Sequence, residues 1–74
     1  MFSKEIFHER MMALRAEKHL SLQGAADLLG VPKSTYRNWE NCDREPPYAV
    51  LCQLADFYGV STDYLLGQTD RKKP

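Results

Sequence analysis

Lys33, Ser34, Arg37 and Asn38 fall within one short segment, KSTYRNWE, at residues 33–40. On a helix this spacing gathers them on one side and puts Tyr36 and Trp39, three residues apart, on the other. The aromatic pair reads as core. The basic and polar face has nothing structural to do. Immediately upstream, LSLQGAADLLG at residues 20–30 reads as another short helix, hinged at Gly30. Two short helices joined by a turn of three or four residues let one brace on a surface while the other enters a DNA groove.

No other residues assemble a site. Cys42 and Cys52 have no CxxC spacing and no secretory context, so no structural disulfide is expected. Cys52 reads as a small core residue and Cys42 as a turn residue. His8 and His19 bring the possible metal ligands to four, at no recognised spacing, so no metal is expected. The histidines lie on or just after the first helix, with no carboxylate, serine or cysteine that spacing would bring to them. A Gly-rich phosphate loop is also missing. The chain reads as no enzyme, with no cofactor and no small-molecule ligand.

At 74 residues there is room for one domain with one core. A content of 43% hydrophobic and 27% charged residues is too apolar for disorder. No apolar run approaches the roughly 18 residues of a membrane span, and MFSKEIFHER lacks the apolar stretch of a signal peptide. The expectation is a cytoplasmic protein. Ten Lys and Arg balance ten Asp and Glu, which argues against a general affinity for nucleic acid. Their distribution is uneven: residues 46–66 carry Asp56 and Asp63 and no base, while Arg71, Lys72 and Lys73 cluster near the end.

The elements that must position the polar face are all helical. Ser3 caps a first helix with Phe7, Met11 and Leu14 on its buried side. Ser21 caps a second, with Ala25, Ala26 and Leu29 inward and Gly30 as its left-handed stop. Pro32 stands where the third begins, and that helix runs over about 33–41. Pro46 and Pro47 close a loop. The fourth helix, residues 48–58, carries Leu51, Leu54, Ala55 and Tyr58 on its inner side. Ser61 caps a last short helix that ends at Gly67. The fold class is therefore all-α, a compact five-helix domain over residues 1–69, followed by a basic disordered tail at 70–74.

The chain resembles the lambda-repressor-like helix-turn-helix family of phage and bacterial regulators, the Cro/Xre group. The resemblance runs from about residue 7 to 69. It is carried by Leu14 and Arg15, Leu20 and Ser21, Ala26, Leu29 to Val31, Ser34 and Thr35, Trp39 and Glu40, Pro46, Leu54 and Ala55, Gly59 to Ser61, and Asp63 to Gly67. Each piece is weak alone; all of them in order and in register are strong. The resemblance implies a helix-turn-helix at about 22–41 that binds a double-stranded DNA operator, with the helix at 33–41 in the major groove. Lys33 and Ser34 then read bases, with Arg37 and Asn38 one turn along. Arg can pair bidentately with guanine and Asn with adenine. Lys33 and Arg37 have an alternative use on phosphates, which positions a protein without reading sequence. Gln23 and Arg44 serve as backbone contacts. The family's tie between the first helix and the end of the third maps here onto an Arg15–Glu40 ion pair.

The departures matter too. Leu22 stands where the family often has a phosphate-binding Gln, with Gln23 beside it. Gly24 replaces a better helix former. Pro32 replaces a Ser or Thr cap, and His19 and Cys42 replace frequent glycines. The leading function is sequence-specific transcriptional regulation, as a repressor and a homodimer, because one short helix reads few base pairs. The dimer surface is expected on the last helices, among Phe57, Tyr64, Leu65 and Leu66, with Leu65 the one that also suits the core. The alternative is a protein-interaction module that keeps the fold without DNA binding, in line with the neutral charge and the missing Gln.

Overall fold

Three serines begin three helices in the same way. Ser3, Ser21 and Ser61 each accept, on the side-chain oxygen, a hydrogen bond from the N–H three residues on: Ile6 at 3.2 Å, Gly24 at 2.9 Å and Tyr64 at 3.1 Å. A cap of this kind is worth about 1 kcal/mol. The computed structural model describes residues 3–73, and its helices are α1 Lys4–Glu17, α2 Leu22–Leu29, α3 Lys33–Glu40, α4 Tyr48–Tyr58 and α5 Thr62–Leu66. Among the described residues there is no strand. The fold is all-α, as expected. α3 stops at Glu40, with Asn41 as its cap. α3 and α4 follow Pro32 and Pro47 without a side-chain cap, and the proline ring pre-sets the entry instead.

Phe7, Met11 and Leu14 of α1 are buried with Ala25, Ala26, Tyr36, Leu54, Ala55, Tyr58 and Leu65 in one core. Small side chains at 25 and 26 let α2 pack closely on α3; α1 lies against α3 and α5, and α4 against α5. The radius of gyration is 11.1 Å, the value of about 11 Å expected for a compact chain of this length. No helix among the described residues is long and apolar enough to cross a membrane.

Cys42 lies in the turn after α3, as expected, but Cys52 is not the core residue expected. Cys52 is exposed and Cys42 is buried; both are free. The inner stripe of α4 is Leu54, Ala55 and Tyr58, and position 52 points away from it. Cys42 turns inward from a left-handed backbone with φ 59°, and burial pushes its thiol pKa up. Residues 70–73, the described part of the expected tail, are exposed and make contacts back to the helices. The Arg10 guanidinium donates to the carbonyl oxygens of Tyr64 and Thr69 and to Asp70 Oδ1, and it lies 4.1 Å from the Tyr64 ring centre. The Ser61 N–H donates to the Lys72 carbonyl at 2.7 Å. Pro74, the last residue of that tail, lies outside the described residues.

His19, at φ 56°, is the other non-glycine residue in the left-handed region among those described. It is exposed. The left-handed conformation costs about 1–2 kcal/mol, of which the greater chain entropy of glycine offsets about 0.5–1 kcal/mol. His19→Gly is therefore expected to gain about 0.5–1 kcal/mol, read as a higher urea midpoint; an unchanged or lower midpoint contradicts it. Gly24 has a local reason. A Cβ there would lie 3.3 Å from the capping Ser21 Oγ and 3.4 Å from Leu20 Cδ2.

Candidate nucleic-acid interface

The turn between α2 and α3 is built from backbone bonds. Gly30, at φ 73°, takes a conformation that side chains resist, and the Val31 N–H then returns to the Ala26 carbonyl at 3.0 Å. Val31 packs on the core, and the chain re-enters a helix after Pro32. This fixes where α3 begins relative to α2.

α3 has two chemically distinct sides. Tyr36 and Glu40 are buried and Trp39 packs at the core edge. Lys33, Ser34 and Arg37 are exposed, and Asn38 is half-buried. Among the described residues none of these four side chains makes a hydrogen bond or ion pair, so their donors and acceptors face solvent. The helix thus brings together all four residues expected to read bases. Gln23 is exposed in the first turn of α2, where its Nε2 donates to Asp27 Oδ1 at 2.7 Å. Arg44 is exposed in the loop after α3, held there by its N–H to the Asn38 carbonyl at 3.4 Å.

The inner side of α3 carries a buried polar chain. Arg15 Nε donates to Glu40 Oε1 at 2.9 Å and the other guanidinium arm to Oε2 at 3.2 Å. Arg15 also donates to the Leu20 carbonyl at 2.9 Å, which ties in the chain just before α2. Tyr36 Oη donates to Glu40 Oε1 at 3.0 Å and is hydrogen-bonded to Tyr58 Oη of α4. His8 Nδ1 donates to the Glu40 carbonyl at 2.9 Å. With its carboxylate neutralised from within, Glu40 adds no repulsion to the outer face, where Lys33 and Arg37 leave α3 basic. Sequence reading missed the Tyr36–Tyr58 hydroxyl pair, because both residues were accounted for as apolar core. The i, i+4 spacing of Tyr36 and Glu40 was the available signal.

The hydrogen bond that Arg15 donates to Glu40 holds its guanidinium pKa above the usual value, against a smaller opposing effect of burial. Burial pushes both phenols up, Tyr36 the further, so both stay protonated well past neutrality. A folded pKa above the unfolded one favours the native state below about pH 10 and loses that advantage as pH rises through the folded values. Stability is therefore expected to fall from about pH 10 upward, which urea melts between pH 8 and 11 would measure. Replacing both phenols with Phe should flatten that limb; a wild-type curve level to pH 11 contradicts the expectation.

A protein-family model described as helix-turn-helix matches residues 11–65. Among curated proteins, the chain is 43% identical over 65 residues to the HTH-type transcriptional regulator AnsR of Bacillus subtilis. It is 32% identical to the HTH-type transcriptional regulator ImmR of the same species. It is 31% identical to the cryptic phage CTXphi transcriptional repressor RstR of Vibrio cholerae. Each match covers 88% of this chain but only 56%, 51% and 59% of the respective relative, so the chain spans little more than half of their length. With its five helices, its glycine-hinged α2–α3 pair and a match spanning both, the chain belongs to the lambda-repressor-like, Cro/Xre group of the helix-turn-helix family.

Proposed function

We propose that the protein is a sequence-specific binder of double-stranded DNA that regulates transcription as a repressor, with α3 in the major groove. The observation that carries this is the outer face of α3. Lys33, Ser34, Arg37 and Asn38 have no partner among the described residues, and the helix behind them is clamped to the core at Tyr36 and Glu40. An unpartnered, rigidly mounted set of donors and acceptors on one short helix matches what base edges require. The names of the relatives support the regulatory role, and that of RstR supports repression. Gln23 and Arg44 flank the face and serve as phosphate contacts, Gln23 after giving up its bond to Asp27.

The protein acts as a homodimer on a two-fold site. Of the residues expected at the dimer surface, Leu65 is in the core, Tyr64 is covered by Arg10 and Phe57 lies beneath Lys18. Leu66 remains, lining a groove of about 290 Å³ with Pro46, Leu51 and Tyr48, whose side chain is 90% exposed. That groove is the better candidate for the contact between copies.

Selection of bound sequences from a random duplex pool tests the reading, followed by fluorescence anisotropy across salt. A palindromic motif, with affinity falling by about one logarithmic unit per phosphate contact for each tenfold rise in salt, is the expected result. Undetectable binding at low salt rejects DNA binding in favour of a protein-interaction module.

A further inference from the structure

The Tyr58 hydroxyl, bonded to that of Tyr36, is a polar group of the core that the proposed contacts leave unused. α3 lies on α1 and α2, and α4 on α5, with α1 also against α5; this hydrogen bond adds a direct tie between α4 and α3. Its direction follows from its neighbours. The Glu40 carboxylate can only accept, and its Oε1 already takes Arg15 Nε at 2.9 Å and the Tyr36 hydroxyl at 3.0 Å. The Tyr36 proton is therefore committed to Glu40, and Tyr58 must be the donor to the Tyr36 oxygen. The result is a one-way chain from Tyr58 through Tyr36 to Glu40, closed by Arg15. No buried side-chain polar atom of the described residues is left without a partner. Such a chain strengthens each of its members, since every donor is polarised by the next.

Tyr36 and Glu40 lie one turn apart on the inner side of α3, so holding both fixes the rotation of that helix about its axis. Among the hydrogen bonds of the described residues, the one at the Tyr36 hydroxyl links α3 directly to α4. We propose that Tyr58 is a positioning residue for DNA reading: through Tyr36 and Glu40 it sets the roll of α3, and with it the aim of Lys33, Ser34, Arg37 and Asn38. This rests on the reading of α3 as the base-contacting helix. Tyr58 itself is buried and belongs to none of the contacts proposed with DNA. Base contacts depend on hydrogen-bond geometry at the groove floor, whereas phosphate attraction tolerates a small roll. Loss of the hydroxyl should thus separate specific from non-specific binding.

The test is Tyr58→Phe, with Tyr36→Phe and the double variant beside it, on the full chain. Affinities are measured for a selected duplex and a random duplex across salt, well below each variant's thermal midpoint. Tyr58→Phe is expected to lower affinity for the selected duplex by about 2- to 30-fold. Random-duplex affinity and the salt slope should stay unchanged. The double variant should lose no more than Tyr36→Phe alone, because the hydroxyls act as a unit. Amide exchange over residues 36–40 should quicken relative to α1 in Tyr58→Phe. If the wild type prefers its selected duplex and Tyr58→Phe keeps the same preference, or loses both affinities equally, the positioning role is overturned while DNA reading stands. If the wild type shows no preference among duplexes, the reading of α3 fails and the proposal falls with it.

Discussion

Arg15→Ala should lose about 3–5 kcal/mol of stability, because it leaves a buried carboxylate without its countercharge. The Glu40 side chain is 4% exposed, and without Arg15 its one remaining side-chain donor is the Tyr36 hydroxyl. Arg15 is itself 19% exposed, so water already reaches the guanidinium and the lower half of that range is expected. Domains of this size have total stabilities of roughly 4–11 kcal/mol, so the variant should be marginal at 37 °C. The hydrogen bond to the Leu20 carbonyl is lost as well, which frees the entry to α2. Urea denaturation near neutral pH measures the effect. Replacing both partners, as in Arg15→Met with Glu40→Leu, should recover much of the loss, since no buried charge remains. An Arg15→Ala midpoint equal to wild type would mean that Glu40 finds enough water or other donors, and that the ion pair does not clamp α3.

Arg37→Ala should have the opposite profile, with stability intact and recognition impaired. The side chain is exposed and makes no ion pair among the described residues, so its removal should change stability by no more than about 0.5 kcal/mol. If Arg37 pairs with a guanine, affinity for the selected duplex should fall by about 5- to 150-fold, equivalent to about 1–3 kcal/mol. Discrimination should relax at one base-pair position and hold elsewhere. A phosphate contact has a different signature: affinity drops evenly for every duplex, and the salt slope decreases by about one. An Arg37→Ala variant that keeps full affinity for the selected duplex would exclude both roles.

The helices were legible because their ends are marked by local chemistry. Ser3, Ser21 and Ser61 cap, and Gly30, Gly59 and Gly67 stop, each through backbone geometry that needs no distant partner. The outer face of α3 was legible for the same kind of reason, since a helical period sorts Lys33 and Arg37 from Tyr36 and Trp39. Cys52 was misread because a small apolar residue suits either side of a helix, and only the packing of α4 decides which. The contacts of the stretch after Gly67 were not legible because it is largely exposed and has no apolar residue to mark a docking face. It is held instead by one arginine from α1, Arg10, which is 54 to 60 residues away from the groups it binds.

The amino-acid order by itself determined five helices, their caps and hinges, and which side of α3 is left free for a partner. Those features depend on interactions within a few residues, and a short window of sequence contains all of them. The joining of Tyr58 to Tyr36 and Glu40, the inward turn of Cys42 and the latch at Arg10 were decided by tertiary structure alone. Each needs groups that are distant along the chain to meet at hydrogen-bond or contact distance, and no local pattern of residue types encodes that meeting.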